Sequence, residues 1–302
     1  MRSFSWQFSP ALVNPLQLYN PRMLFEVVTI VGVGLIGGSV GMAVRKRQIA
    51  RQVNGIDRDP RILTQAIELG AIDSGTTELG TGTARSSLVV FCTPVDRIAA
   101  GILELAALGR SGVLITDVGS TKGNIIAAVS GQLPATIEYV PAHPLTGSEK
   151  TGARFGHADL FENRVTVVTP IPGGSRSAVH RVRAFWEALG SQVIELQPAD
   201  HDLALAVTSH LPHAVASALA GVTPIDWLTL TAGGFRDVTR IAAANPELWA
   251  GIFLANRDDV LSAVSTFTKR LSQFHQLLDA RDEAGLVQWL TEGKQVRDAL
   301  GN

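Results

Sequence analysis

The sequence predicts a doubly wound parallel α/β sheet over its first two-thirds and an all-α helical domain over the rest. Three observations carry this. Short, β-branched apolar runs alternate with helical patterns up to residue 197, a glycine-rich turn follows the first run at once, and the two-residue period disappears beyond Pro198. Strands that alternate with helices pair in parallel, are buried on both faces, and present ligands at their carboxyl ends.

The first strand is expected at residues 27–31, all β-branched and all but Thr29 apolar. Gly32, Gly34 and Gly37 follow directly, in the dinucleotide-binding (Rossmann-type) spacing, and open a helix to about residue 47. The first glycine permits the tight turn, the second lets backbone N–H groups approach a pyrophosphate, and the third lets helix and strand pack closely. Leu35 and Ile36 then supply helix N-terminal amides to the phosphates. A second strand at residues 52–56 ends at Asp57, about 25 residues after Gly32, near the spacing of an acid that accepts the ribose hydroxyls. That carboxylate repels a 2′-phosphate and favours NAD over NADP. The neighbouring Arg58 is able to pair with such a phosphate, and it weakens the preference.

Further strands are expected at residues 87–92 and 112–117. Thr93-Pro94 follows the former, where a loop passes the nicotinamide ribose. Residues 117–122, containing Ser120 and Lys122, follow the latter. A third loop, residues 142–149, contains His143 and Glu149 and follows Tyr139-Val140. A strand-like run at 164–169, a turn at 171–175, a helix at 179–189 and a short strand at 192–196 complete the sheet domain.

In the helical third, Ser209-His210-Leu211-Pro212-His213 lies inside a helical pattern over 199–220, where Pro212 predicts a kink beside two imidazoles. A metal site from His201, Asp202, His210 and His213 is disfavoured, because no cysteine assists and the spacing matches no compact zinc motif. Gly233-Gly234 precede a helix carrying Arg236 and Arg240, four apart and so on one face, suited to capturing carboxylates. Apolar residues from Trp249 to Leu278 fall on one stripe, which predicts a single helix of roughly thirty residues and, with so small a domain to cover it, a dimer.

Composition bounds the rest. The chain has 302 residues, 46% hydrophobic and 18% charged, enough for two cores. A formal net charge of −1 offers no electrostatic case for nucleic acid or anionic lipid. A lone Cys92 excludes an internal disulfide framework and fits a cytoplasmic setting. There is no uninterrupted apolar run of about 18 residues, so no membrane span is expected. Residues 1–22 show neither period nor a secretory pattern and are read as a flexible arm or an over-extended start.

Taken in order, the glycine turn, Asp117-x-Gly-Ser120-x-Lys122, His143-Pro-x-x-Gly-x-Glu149, Ser209-His-Leu-Pro-His213 and Gly-Gly-Phe-Arg236-Asp-x-Thr-Arg240 resemble the prephenate/arogenate dehydrogenase family across residues 27–256. The resemblance implies a Rossmann domain at 23–197, a helical substrate and dimerisation domain at 198–302, and NAD as cofactor. It implies that His143 takes the proton of the substrate's ring hydroxyl, that Ser120 shares that hydroxyl or orients the imidazole, and that Arg240 binds a substrate carboxylate. It places His213 and Ser209 near the substrate side chain, Glu149 and Arg236 at the mouth of the site, and Trp249 in packing across a dimer. The resemblance departs in small ways: Ala142 stands where the family often has glycine, and Arg236 where some members have lysine. His213 favours prephenate over arogenate, whose ammonium suits an acidic partner better. A β-hydroxyacid or imine reductase is the alternative enzyme; its lysine is expected in the helices, where this chain offers only the late Lys269 and Lys294. An idle NAD-binding regulator is the alternative outside catalysis.

Overall fold

A computed structural model describes residues 23–147, 150 and 152–301. The alternating part runs β1 (Phe25–Val31), α1 (Leu35–Lys46), β2 (Ala50–Ile56), α2 (Pro60–Glu68), β3 (Ser74–Thr76), α3 (Leu79–Gly82), β4 (Leu88–Phe91), α4 (Val95–Ala107), β5 (Val113–Asp117), α5 (Gly123–Val129) and β6 (Ile137–Tyr139). These six strands form one sheet in the order β3-β2-β1-β4-β5-β6, parallel throughout. The strand order reverses between β1 and β4, so the crevice for a ligand opens where Val31 and Phe91 end.

The later strands do not extend this sheet. β7 (Ala142–Pro144), β8 (Val165–Val168) and β9 (Gln192–Glu195), with α6 (Arg176–Ala188) between the last two, make a separate three-stranded sheet. β7 runs antiparallel to β8, with His143 opposite Val167. The segment expected to be a loop therefore holds His143 on a strand. Pro141 and Pro144 bracket it, and each lacks the N–H a central strand would donate. Two apolar cores sandwich the large sheet. One gathers Val28, Ile30 and Val90 under Phe161, Phe185 and Trp186; the other gathers Phe91, Ile98, Ile102 and Ile115.

The remaining chain is helical: α7 (Pro198–Leu205), a π-helical turn (Ala206–His210), α8 (Leu211–Gly221), α9 (Gly233–Thr239), α10 (Pro246–Ala255), α11 (Arg257–Asp279) and α12 (Glu283–Ala299). Two expectations are corrected here. The predicted kink at Pro212 is instead a π-helical turn just before it. Pro212 sits in the first turn of α8. The single thirty-residue helix is two, broken at Asn256 with φ −120° and ψ 35°. A break of one residue hardly disturbs a 3.6-residue stripe, so the periodicity conceals it. Ile252, on the inner face of α10, is buried in the core of the nucleotide-binding sheet and ties the helices to it. The run Pro198–Gly221 is long and apolar enough to cross a membrane by length and composition. Here its inner face carries His201, Asp202 and His210, all buried and hydrogen-bonded.

Candidate active site

The glycine turn lies at the switch point. Gly32 has φ +90°, and a Cβ there would stand 2.9 Å from the Cys92 carbonyl oxygen, so both conformation and the neighbouring strand demand glycine. Gly34 caps α1 and faces open space, as backbone approached by a ligand should. A Cβ on Gly37 would fall 2.1 Å from the Gly32 carbonyl oxygen, so helix and turn touch there. Gly37→Ala is therefore expected to displace the turn, costing about 1–3 kcal/mol of stability and at least tenfold in dinucleotide affinity, checked by thermal melting and NAD titration. Unchanged affinity would refute this packing role. Leu35 is buried and Ile36 partly so at the start of α1.

Asp57, at the end of β2, accepts the Val33 N–H at 3.0 Å through Oδ2 and the Asp59 N–H at 3.1 Å through Oδ1. Its carboxylate is thus locked against the glycine turn, while Arg58 beside it is exposed. Thr93 follows β4, and its buried Oγ1 has no partner among the described residues; Pro94 opens α4. The donor set fits a dinucleotide: free helix amides, an open glycine, a fixed carboxylate at the second strand and an unsatisfied hydroxyl across the crevice.

Beside the crevice is a second constellation built by both parts of the chain. His143 on β7 brings Nδ1 within 2.9 Å of His201 Nε2, and His201 Nδ1 lies 2.7 Å from Asp202 Oδ1. Asp202 also accepts the Lys122 and Gly123 N–H groups at 2.8 and 2.7 Å, which seats α7 on the start of α5. Burial opposes ionisation of Asp202, yet the hydrogen bonds from His201, Gly123 and Lys122 hold its carboxyl below the usual range. His143 keeps part of its surface open. Desolvation, with further contributions from His201, Lys122 and His210, pushes its pKa well below that of free histidine, so the ring is neutral at pH 7.

Lys122 is fully buried and pairs with Asp117, which is equally buried. The pair grips both polar groups of Ala142: Lys122 Nζ donates to its carbonyl at 2.7 Å, and Asp117 Oδ1 accepts its N–H at 3.2 Å. Asp117 also accepts from Tyr139 Oη at 3.0 Å and the Gly119 N–H at 2.9 Å. Burial pushes Lys122 down and Tyr139 up, Asp117 opposing the first shift and adding to the second. The pair thus fixes the strand residue that precedes His143. Ser120, half-buried, lies on the same loop between Gly119 and Lys122.

Other expected site residues are distributed unevenly. His213 is buried and stacks face to face on Trp249, with ring centroids 3.5 Å apart and planes at 9°. Trp249, expected across a dimer, therefore finds its ring partner within the chain. Ser209 is half-buried in the π-helical turn. His210 is pushed down to about 4 by burial, and Asn256 Nδ2 bridges its Nδ1 at 3.2 Å to the Asp202 carbonyl at 2.8 Å. Arg236 and Arg240 are exposed and do not share one α-helix. Arg236 is on α9, whereas Arg240 begins the 3₁₀ turn Arg240–Ala243, which packs on α8. Glu149 lies outside the described residues. His201 and Asp202, read only as a disfavoured metal grouping, instead form hydrogen bonds; among the described residues no such group is arranged to hold a metal. Only an acid closing an apolar strand, Asp117, with a lysine five residues on, hinted at the buried pair.

A nucleotide crevice flanked by a partly buried, neutral imidazole that a helix of a second unit holds in place defines a two-part, dinucleotide-dependent oxidoreductase. Comparison with known proteins makes this specific. Residues 40–195 match the nucleotide-binding domain of prephenate dehydrogenase and residues 197–292 its dimerization domain. The chain is 31% identical to the prephenate dehydrogenase of Bacillus subtilis (strain 168), over 91% of this chain and 76% of that protein. It is also 31% identical to a cyclohexadienyl dehydrogenase of Zymomonas mobilis, over 92% and 97%. Among solved structures, prephenate dehydrogenase from Aquifex aeolicus in complex with hydroxyphenyl propionate and NAD+ superposes with a TM-score of 0.84 at 32% identity, over 91% of this chain and 98% of that one. The chain belongs to the prephenate dehydrogenase family.

Proposed function

We propose that this chain is an NAD-dependent prephenate dehydrogenase, converting prephenate to 4-hydroxyphenylpyruvate with loss of carbon dioxide, in tyrosine biosynthesis in the cytoplasm. The observation that carries the reading is the neutral His143, held beside the dinucleotide crevice by groups from both units. When bound, NAD supplies the acceptor for the hydride. His143 takes the ring hydroxyl's proton, with Ser120 sharing or orienting that contact. Loss of the carboxylate then sends its bonding electrons into the ring, and aromatisation drives the step, so the protein needs only to orient two molecules and manage one proton. Gly32, Gly34, Leu35, Ile36 and Gly37 hold the pyrophosphate, Asp57 with Arg58 faces the adenosine ribose, and Thr93 and Pro94 border the nicotinamide ribose. Arg240 binds a substrate carboxylate, His213 and Ser209 border the side chain, and Arg236 stands at the mouth.

The units divide as a nucleotide-binding domain at 23–197 and a helical domain at 198–302. The helical domain joins two copies: Val222, Ile225, Trp227 and Leu230 are each more than 60% exposed, and the stripe of α11 is exposed at Leu271 and Leu278. Such apolar surface is more than a lone chain ordinarily leaves in water, and a sedimentation mass of two chains is expected.

The deciding assay is NADH formation with prephenate and arogenate offered separately, each with NAD and NADP. Activity with prephenate and NAD supports the whole reading. Activity confined to arogenate moves the substrate but keeps the mechanism, and the likeness to a cyclohexadienyl dehydrogenase makes that second substrate worth offering. Silence with both overturns the reading. Arg240→Gln is expected to raise KM for prephenate about 10- to 100-fold, the worth of one charge-assisted hydrogen bond, with kcat little changed. An unchanged KM would remove Arg240 from the carboxylate site.

A further inference from the structure

We propose that His201 and Asp202 are positioning residues for the base: they force His143 into the tautomer protonated at Nδ1, leaving the Nε2 lone pair for the substrate hydroxyl. This rests on the catalytic role proposed above for His143.

The argument is one of donors and acceptors. Asp202 already accepts two backbone N–H groups, from Lys122 and Gly123, and as a carboxylate it can only accept. The hydrogen on the 2.7 Å contact therefore belongs to His201 Nδ1. A neutral His201 protonated there has a bare Nε2, which can only accept. The hydrogen on the 2.9 Å contact between the two imidazoles must then sit on His143 Nδ1. His143 Nε2 is left unprotonated, and among the described residues it has no hydrogen-bond partner. An acceptor stands there, as proton removal from a hydroxyl requires; with the other tautomer the site would present a donor and could not take the proton.

The burial pattern supports a built device rather than a chance contact. His201 is fully buried and Asp202 nearly so. Both ring nitrogens of His201 are used, and the carboxylate beyond it is anchored by two backbone groups of the other unit. When His143 takes the substrate proton, its new positive charge is passed through His201 towards the Asp202 carboxylate, which offsets the desolvation that otherwise disfavours that charge. Because Asp202 is on α7 and its anchors lie at the start of α5, the base is correctly oriented only when the helical unit is seated on the nucleotide unit.

The test uses the full chain and two readouts. In the 15N-histidine-labelled wild type, long-range imidazole correlations, with the His143 signals assigned by their loss in His143→Asn, are expected to show the Nδ1-protonated form. This needs no turnover, so it stands even if prephenate proves not to be the substrate. Kinetically, His201→Leu is expected to lower kcat by about 100-fold or more, as loss of a tautomer-setting partner does, with KM for prephenate and NAD within about threefold. His201→Gln, whose amide oxygen can occupy the place of Nε2 and accept from His143, is expected to recover at least a tenth of wild-type kcat. Three results would each overturn the proposal: an Nε2-protonated His143 in the wild type, full turnover in His201→Leu, or equal losses in the Leu and Gln variants. An inactive wild type that still shows the Nδ1 tautomer would overturn the assigned reaction and leave the tautomer assignment intact.

Discussion

Replacing His143 with Asn is expected to lower kcat by about 10²- to 10⁴-fold, the usual contribution of a positioned general base, while KM for prephenate and the affinity for NAD change by less than about threefold. Asn is the informative choice because its amide sits where His143 Nδ1 does and can still donate to His201 Nε2. The bridge to Asp202 survives, and only the group facing the hydroxyl is lost. A fall in kcat and kcat/KM together marks an interaction made in the transition state rather than in substrate binding. Steady-state kinetics with prephenate, beside a melting curve showing an intact fold, checks this. Wild-type turnover in the variant would refute the role of the imidazole.

Removing the carboxylate of Asp117 is expected to produce the largest loss of stability, about 3–5 kcal/mol for Asp117→Ala, because it strands the buried ammonium of Lys122. The Tyr139 hydroxyl and the Gly119 and Ala142 N–H groups lose their acceptor at the same time. Urea unfolding would measure the loss, and activity should fall with it, since Ala142 precedes the base. The double variant Asp117→Leu, Lys122→Met is expected to be less destabilised than the single one, because it removes both charges and leaves neither unpaired. A single variant within about 1 kcal/mol of wild type would show that the pair is not an energetic keystone.

The catalytic features differ in how far a linear sequence exposes them. Gly32, Gly34, Gly37 and Asp57 are legible because each meets a local demand: a positive φ, an open approach, a helix–strand contact, and an acid one strand later. The fold class is legible for the same reason, since β4 is a continuous apolar run and β1 and β5 are nearly so, and their burial on both faces shows in composition alone. The motif containing His143 could be singled out, but its strand could not. β7 is three residues long, follows Pro141 and ends in Pro144, and what fixes it is a buried ion pair 20 and 25 residues back along the chain.

The tertiary structure alone decided what surrounds the base. His201-Asp202 is an unremarkable dipeptide near the start of a helix until α7 docks on α5 and brings an imidazole from residue 143 to its edge. Likewise Trp249 falls on an apolar stripe that periodicity assigns to packing, and only the fold stacks it on His213. Asn256 ends one helix and starts the next, and its amide is committed to groups 54 and 46 residues away. Backbone preferences and apolar periodicity act over a few residues, so the sequence by itself determined the strands, the glycine turn and the helical character of the last third. Hydrogen-bond partners at long range follow no local rule, and so the tautomer of His143, the grip on its strand and the seam between the two units were decided only when the chain was folded.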